Sequence, residues 1–200
     1  MNNNDKKRFE VKRRQMLGCM CALGAGIPVF DTQAQDASAM APPQPGDLLG
    51  HAFGAKAGQA IAVDELAIDA QQVFAFAIDP QSGTLRNGTR MNQVVLVRLD
   101  PATLSADTAA RSVNGVVAYS GVCSHTGCDV TDWNGAEKRF QCPCHESQFD
   151  PRDGARVVGG PAPWQLAALP LTAKDGKLAV AGEFQGRLGF MQPGLDPFGL

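Results

Sequence analysis

Along the chain, short apolar runs alternate with clusters of Gly, Pro, Asp and Asn. Residues 71–78 (QQVFAFAI) and 93–99 (QVVLVRL) are the clearest runs, each closed by Asp-Pro. Runs of this length, rich in Val, Leu and Phe and bounded by turn residues, predict β-strands. Residues 115–119 (GVVAY) predict another, and 139–141, 155–158, 168–171 and 178–180 complete the set. The last two flank Asp175-Gly176, a strong short hairpin signal. Residues 63–70 fit a helical turn or a strand equally. No stretch sustains a helical period and no internal repeat is present. The prediction is an all-β fold of short antiparallel strands.

The first forty residues break this pattern. Residues 1–14 are polar and basic and end in Arg13-Arg14; residues 16–30 carry no charge. As a helix those fifteen residues span roughly 22 Å, short of the ~30 Å hydrocarbon core of a bilayer. A basic start, a modest apolar stretch and Ala37-Ser38-Ala39 together resemble a secretory signal. The arginine pair makes it similar to a twin-arginine signal, the address of proteins exported already folded. Residues 1–39 are therefore expected to be an export signal, with a short uncleaved anchor helix as the alternative. Cys19 and Cys21 fall inside it and read as apolar filler. Residues 41–46 (APPQPG) cannot continue a helix or enter a central strand, which predicts a linker over 40–58. The domain is then expected over 59–190, followed by a Pro/Gly-rich flexible tail over 191–200.

Composition adds two limits. With 44% hydrophobic and 19% charged residues in 200, the chain can bury one ordinary core and is not disordered throughout. The net charge of −2 argues against nucleic-acid binding by bulk electrostatics. It averages +2 over residues 1–39 and −4 over the remainder. Six cysteines are too few for a disulfide-built miniprotein, so their positions decide their meaning.

Four cysteines and two of the three histidines crowd into residues 123–145. The first group is Cys123-Ser124-His125-Thr126-Gly127-Cys128; the second is Cys142-Pro143-Cys144-His145-Glu146-Ser147. Each offers a thiolate and an imidazole close together, and two such loops facing one another supply four ligands of mixed softness. Tetrahedral zinc accepts two sulfurs and two nitrogens, so a zinc-stapled binding module is one reading. Against it, C-x-H is tighter than the usual zinc knuckle, and Cys128 and Cys144 are left over. The third histidine, His51, has no partner pattern and reads as a surface or packing residue.

C-x-H-x-G-C followed by C-P-C-H-x-S resembles the two cluster-binding loops of Rieske iron–sulfur proteins, sharply over residues 117–163 and as architecture over about 60–190. The resemblance implies a β-sandwich of three small antiparallel sheets carrying a cluster-binding subdomain. It implies one [2Fe–2S] cluster, with Cys123 and Cys142 on one iron and His125 and His145 on the other. Such centres have potentials of roughly −150 to +300 mV, far above all-cysteine plant-type clusters. In the disulfide-containing branch, shared by cytochrome bc complexes and arsenite-oxidase-type small subunits, the remaining pair is cross-linked; here that implies Cys128 with Cys144. Residues 159–163 (GGPAP) match the loop that covers the cluster, with Gly160 and Pro161 at its centre.

Four positions bear on potential and partner. Ser147 keeps the hydroxyl that the family aims at a bridging sulfide. Phe149 stands where quinol-oxidising members carry a tyrosine hydroxyl aimed at a ligand sulfur. A hydrogen bond to a charged group is worth ~1.5–3 kcal/mol, or roughly 65–130 mV for one electron, so its loss lowers the potential by some part of that. Glu146 replaces a glycine of the quinol oxidisers, and its carboxylate favours the oxidised state. Thr126 replaces an apolar tip residue. These departures imply a mid-range potential, below about +250 mV at pH 7. With imidazole ligands whose second nitrogens face solvent, the potential is expected to fall as pH rises. The expected function is one-electron transfer in the periplasm, as the iron–sulfur subunit of an exported oxidoreductase. Its partner would be a molybdenum or other large subunit or a cytochrome, with a c-type cytochrome as acceptor. The alternative is a membrane-anchored iron–sulfur subunit of a ubiquinol–cytochrome c reductase, in which 42–45 would act as a hinge. No nucleophile–base set or nucleotide loop is present, so catalysis would belong to a partner.

Overall fold

The computed structural model describes residues 37–190. The export signal or anchor, with Cys19 and Cys21, lies outside the described residues, as does the tail over 191–200. Ten strands follow in chain order: β1 (Leu48–His51), β2 (Val73–Ile78), β3 (Val94–Arg98), β4 (Val116–Ser120), β5 (Asp132–Asn134), β6 (Arg139–Gln141), β7 (Gln148–Asp150), β8 (Arg156–Gly159), β9 (Leu171–Lys174) and β10 (Lys177–Val180). A five-residue helix, α1 (Ala106–Ala110), precedes β4 and is capped by the Ser105 hydroxyl, which accepts from the Thr108 N–H. Among the described residues no helix is long and apolar enough to cross a membrane. The protein is all-β.

The strands form a six-stranded antiparallel sheet, β4-β3-β2-β1-β10-β9, and a four-stranded meander, β5-β6-β7-β8. The resemblance implied three small sheets. Two are present because Leu48 of β1 pairs with Ile78 on one side and Ala179 on the other, joining both halves into one ladder. The whole meander is inserted between β4 and β9.

Strands β3 and β4 are buried on both faces, which is why their sequences run apolar without alternation. Val94, Leu96, Val116 and Ala118 point into one core with Leu49, Leu169 and Leu178. Val95, Val97, Val117 and Tyr119 point into a second core shared with Phe140, Phe149, Leu166, Cys123 and Cys142. Successive side chains on a strand face opposite ways, so a strand between two cores needs apolar residues at every position. The second core welds the inserted meander to the large sheet.

Two expectations are corrected. The stretch 40–58 is not a linker. Gln44 and Asp47 close a turn (Asp47 N–H to Gln44 C=O, 3.0 Å) that delivers β1 to the middle of the sheet. Asp47 is buried and takes a two-toothed ion pair from buried Arg86, Nε to Oδ2 at 2.6 Å and Nη2 to Oδ1 at 3.2 Å. Buried Asn92 donates from Nδ2 to the Ala41 carbonyl at 2.8 Å. Side chains far along the chain hold this proline-rich segment, and its own composition carries no sign of them. The strand predicted at 168–171 begins only at Leu171. Ala168 instead makes single bridges to Tyr119 and Gln185. The hairpin at Asp175-Gly176 is present, with both residues at positive φ (50° and 72°), as the twist of a two-residue turn requires. Residues 63–70 form turns with one bridging residue, Ile68, rather than a strand. His51 packs in β1, its Nε2 2.9 Å from Glu65 Oε1.

Candidate metal centre

The two cysteine–histidine loops leave the ends of strands in the second core. The first joins β4 to β5, the second joins β6 to β7, and they share one backbone design. The Cys123 N–H donates to the Cys128 carbonyl (2.8 Å), and the Cys123 carbonyl accepts from the Gly127 N–H (3.1 Å). In the second loop the Cys142 N–H donates to the Ser147 carbonyl (2.8 Å), and the Cys142 carbonyl accepts from the Glu146 N–H (2.9 Å). The fourth residue after each cysteine, Gly127 or Glu146, has positive φ, 81° and 58°. Each loop thus curls back over its own cysteine and carries its histidine outward.

The disulfide Cys128–Cys144 ties the loops together across 16 residues of sequence. Cys123 and Cys142 are free and buried. The sulfurs of Cys128, Cys142 and Cys144 lie within 4.8 Å of one another, but the disulfide takes two of them out of consideration as thiolates. The imidazoles meet edge to face, ring centroids 4.6 Å apart, and the two Nδ1 atoms approach to 3.2 Å. The site is therefore lopsided. Two thiols belong to the core, and two imidazoles reach toward solvent with His145 exposed.

These donors fit an iron–sulfur centre. Two nitrogens bound to one tetrahedral metal at ~2.1 Å lie roughly 3.4 Å apart, close to the spacing of the Nδ1 pair. Burial, above all, pushes the Cys123 thiol up to about 11. The His125 backbone N–H and the Ser147 hydroxyl favour its thiolate, while neighbouring Cys142 opposes it. A buried thiol in that condition is a poor free nucleophile but an apt metal ligand, because coordination removes the proton outright.

A third loop closes over the pair. The Ala162 N–H donates to Ser147 Oγ (3.2 Å), which leaves the hydroxyl proton free for another acceptor. Gly160 lies so close to the second loop, at φ 79°, that a Cβ there would fall 2.5 Å from Ser147 Cα. Pro161 is exposed beside it. Ser124 Oγ donates to the Trp164 carbonyl at 2.5 Å, so the same loop also grips the first. Thr126 is exposed at the tip, its Oγ1 3.8 Å from Cys128 Sγ. Phe149 is fully buried in β7 beside Phe140. The only tyrosine, Tyr119, commits its hydroxyl to the Pro151 carbonyl (2.8 Å).

Sequence reasoning missed several contributors: Ser124, Ala162, Trp164 and Arg90, whose Nη2 donates to the Gly127 carbonyl at 2.6 Å. Ser124 and Gly127 sit inside the motif and could have been flagged. Arg90 and Trp164 lie outside any local pattern.

Residues 76–170 match the Rieske [2Fe-2S] domain family. A Haloferax mediterranei protein named as a respiratory nitrate reductase Rieske subunit is 42% identical over 113 residues, 56% of this chain and 49% of that protein. The iron–sulfur subunit of the chloroplast cytochrome b6-f complex of Triticum aestivum is 30% identical over 170 residues, 84% of this chain and 67% of that one. The soluble domain of Rieske protein II from Sulfolobus acidocaldarius is 22% identical, covering 48% of this chain and 68% of its own, with a TM-score of 0.37. The match spans about half the length of the Haloferax protein and 58% of a Streptomyces lividans cytochrome bc1 Rieske subunit. With its paired loops and their cross-link, the chain belongs to the Rieske family, whose domain binds one [2Fe–2S] cluster.

Proposed function

We propose that this protein is a one-electron carrier of the periplasm, serving as the iron–sulfur subunit of an exported oxidoreductase. A [2Fe–2S] cluster bound here supplies a one-electron couple. Cys123 and Cys142 would hold its inner iron within the core, and His125 and His145 its outer one. One observation carries the reading: two buried thiols and two outward imidazoles converge between cross-linked loops. The cysteines exclude water from the inner side. The imidazoles form the edge a partner touches. Ser147 offers a hydroxyl proton inward.

The flanks of proline-rich 42–45 are held to the domain by Asp47, Arg86 and Asn92 rather than left loose as a hinge would be. That favours a fixed subunit over the swinging head the quinol-reductase reading needs. Phe149, Glu146 and Thr126 favour it too, since they replace residues of the quinol oxidisers. The names of the Haloferax and Triticum relatives, subunits of a nitrate reductase and of a cytochrome b6-f complex, support membership of a larger redox complex. The twin-arginine-type start supports folded export.

Native purification from the producing cell tests this. The expected result is a coloured protein with iron and labile sulfide in equal amounts and a reduced-state EPR signal averaging g of about 1.9. It should leave cells in the periplasmic fraction with an oxidoreductase subunit attached. A colourless protein with one zinc, or co-purification with a cytochrome b in the membrane, overturns it.

A further inference from the structure

The second ligand loop is covered by backbone: Gly160 lies directly on Ser147 and Glu146. The first loop is held differently. Its fourth residue after the cysteine, Gly127, is gripped from outside by side chains distant in sequence. Arg90 Nη2 donates to the Gly127 carbonyl at 2.6 Å and to Asp129 Oδ1 at 2.8 Å. On its other side, a Cβ on Gly127 would fall 2.2 Å from the Phe190 ring. Both grips have firm bases. Arg90 opens the turn Arg90–Asn92, whose Thr89 side chain accepts from the Met91 N–H, and Asn92 is fully buried. Phe190 follows Gly189, whose carbonyl accepts from Trp164 Nε1 at 3.1 Å and where a Cβ would meet Met91 and Val122.

We propose that Arg90 is a positioning residue for the first ligand loop, holding the Gly127 carbonyl in a three-part clamp with Asp129 and Phe190. This rests on the ligand assignment above. Gly127 is two residues from His125 and adjoins the disulfide at Cys128, so fixing its peptide fixes the loop that carries that imidazole. Arg90 and Asp129 form a neutral pair at this tip. Removing the arginine alone therefore does two separable things: it frees the loop, and it leaves an unbalanced carboxylate near the site. An unbalanced negative charge favours the oxidised state, so the potential falls.

The test uses the full chain and three variants: Arg90→Ala, Arg90→Lys, and Arg90→Ala combined with Asp129→Asn. Arg90 is largely exposed, so these proteins fold; Phe190→Ala tests the other arm of the clamp. Three quantities are read: amide hydrogen exchange over residues 124–128, the rate at which a chelator bleaches the loaded protein, and the reduction potential. Arg90→Ala should speed exchange and bleaching by about three-fold or more and move the potential negative. Arg90→Lys and the double variant should return the potential to the wild-type value while exchange stays fast. Phe190→Ala should speed exchange without moving the potential. Exchange within two-fold of wild type in Arg90→Ala overturns the proposal. So does a potential that stays low in the double variant. A wild-type chain that takes up no iron refutes the ligand assignment instead, and exchange measured on that iron-free chain still decides the clamp.

Discussion

The Ser147 hydroxyl serves two neighbours at once. It accepts from the Ala162 N–H of the cover loop and lies against the Cys123 sulfur, where it favours the thiolate. Ser147→Ala thus removes a donor from the metal site and orphans a buried N–H. The expected outcome is a potential lower by up to ~65–130 mV, seen by redox titration, with a stability loss of about 1–3 kcal/mol in urea. Ser147→Cys keeps a weak donor and should fall between. Glu146 illustrates a residue held against its own preference. At φ 58° a non-glycine side chain costs about 1–2 kcal/mol, tolerated here because the Glu146 N–H must reach the Cys142 carbonyl. At Gly127, the same register of the other loop, a Cβ would have to displace the Phe190 ring.

Between elements, the disulfide does what hydrogen bonds across the two loops do not. By the chain-entropy argument a closed loop of about sixteen residues is worth ~3 kcal/mol. Replacing both Cys128 and Cys144 by serine should lower the urea midpoint accordingly. It should also make the protein bleach several-fold faster in chelator, because the two histidine-bearing tips are no longer tied. A second inter-element link predicts acid behaviour. Glu65 accepts from Lys56 Nζ (2.6 Å) and from the Ala62 N–H, and lies 2.9 Å from His51 Nε2 of β1. The Lys56 hydrogen bond, first of these, holds its carboxyl at about 2, below the ordinary 4.5. A carboxylate depressed on folding adds stability above the unfolded value and loses it as pH falls through the folded one. The loss from this group therefore falls between about pH 4.5 and pH 2. Lys56 is exposed, so solvent screening keeps the contribution near 1 kcal/mol or less. Glu65→Gln should lower the neutral-pH stability by about that amount, leave the acid end unchanged, and so flatten the stability–pH profile in that window.

For the whole molecule, the arrangement of cores explains why a soft-metal site can be built on short loops. Cys123 and Cys142 are both part of the second core, packed with Val95, Tyr119, Phe140 and Phe149, so the six-stranded sheet and the meander both set their place. The entry into β1 in the middle of the large sheet depends on the Asp47–Arg86 pair. Removing one partner of a buried pair leaves an uncompensated charge, at a cost of about 3–5 kcal/mol. Asp47→Ala should show that loss in denaturant and free the segment before β1 to limited proteolysis. Replacing Asp47 and Arg86 together by apolar residues should cost much less.

The sequence by itself determined the strands of the core and the chemistry of the loops. The runs at 93–99 and 115–119 are strands because apolar residues at successive positions suit elements buried on two faces, and 71–78 is a strand whose buried and half-buried positions alternate. The two cysteine–histidine motifs are contiguous, so spacing alone brings each cysteine near its histidine. Strand β1 was illegible: four residues with Gly50 inside, where the Ile78 side chain fills the missing Cβ space, and prolines before it. Strands β5 and β7, three residues each, take their form from pairing with β6 rather than from their own composition. Only the tertiary structure decided how the loops are held. Arg90 to Gly127 spans 37 residues, Ser124 to Trp164 spans 40, and Asn92 to Ala41 spans 51. Such hydrogen bonds leave no local pattern, because either partner alone is an ordinary surface or core residue. They exist only where folding removes water and leaves the two groups to satisfy each other.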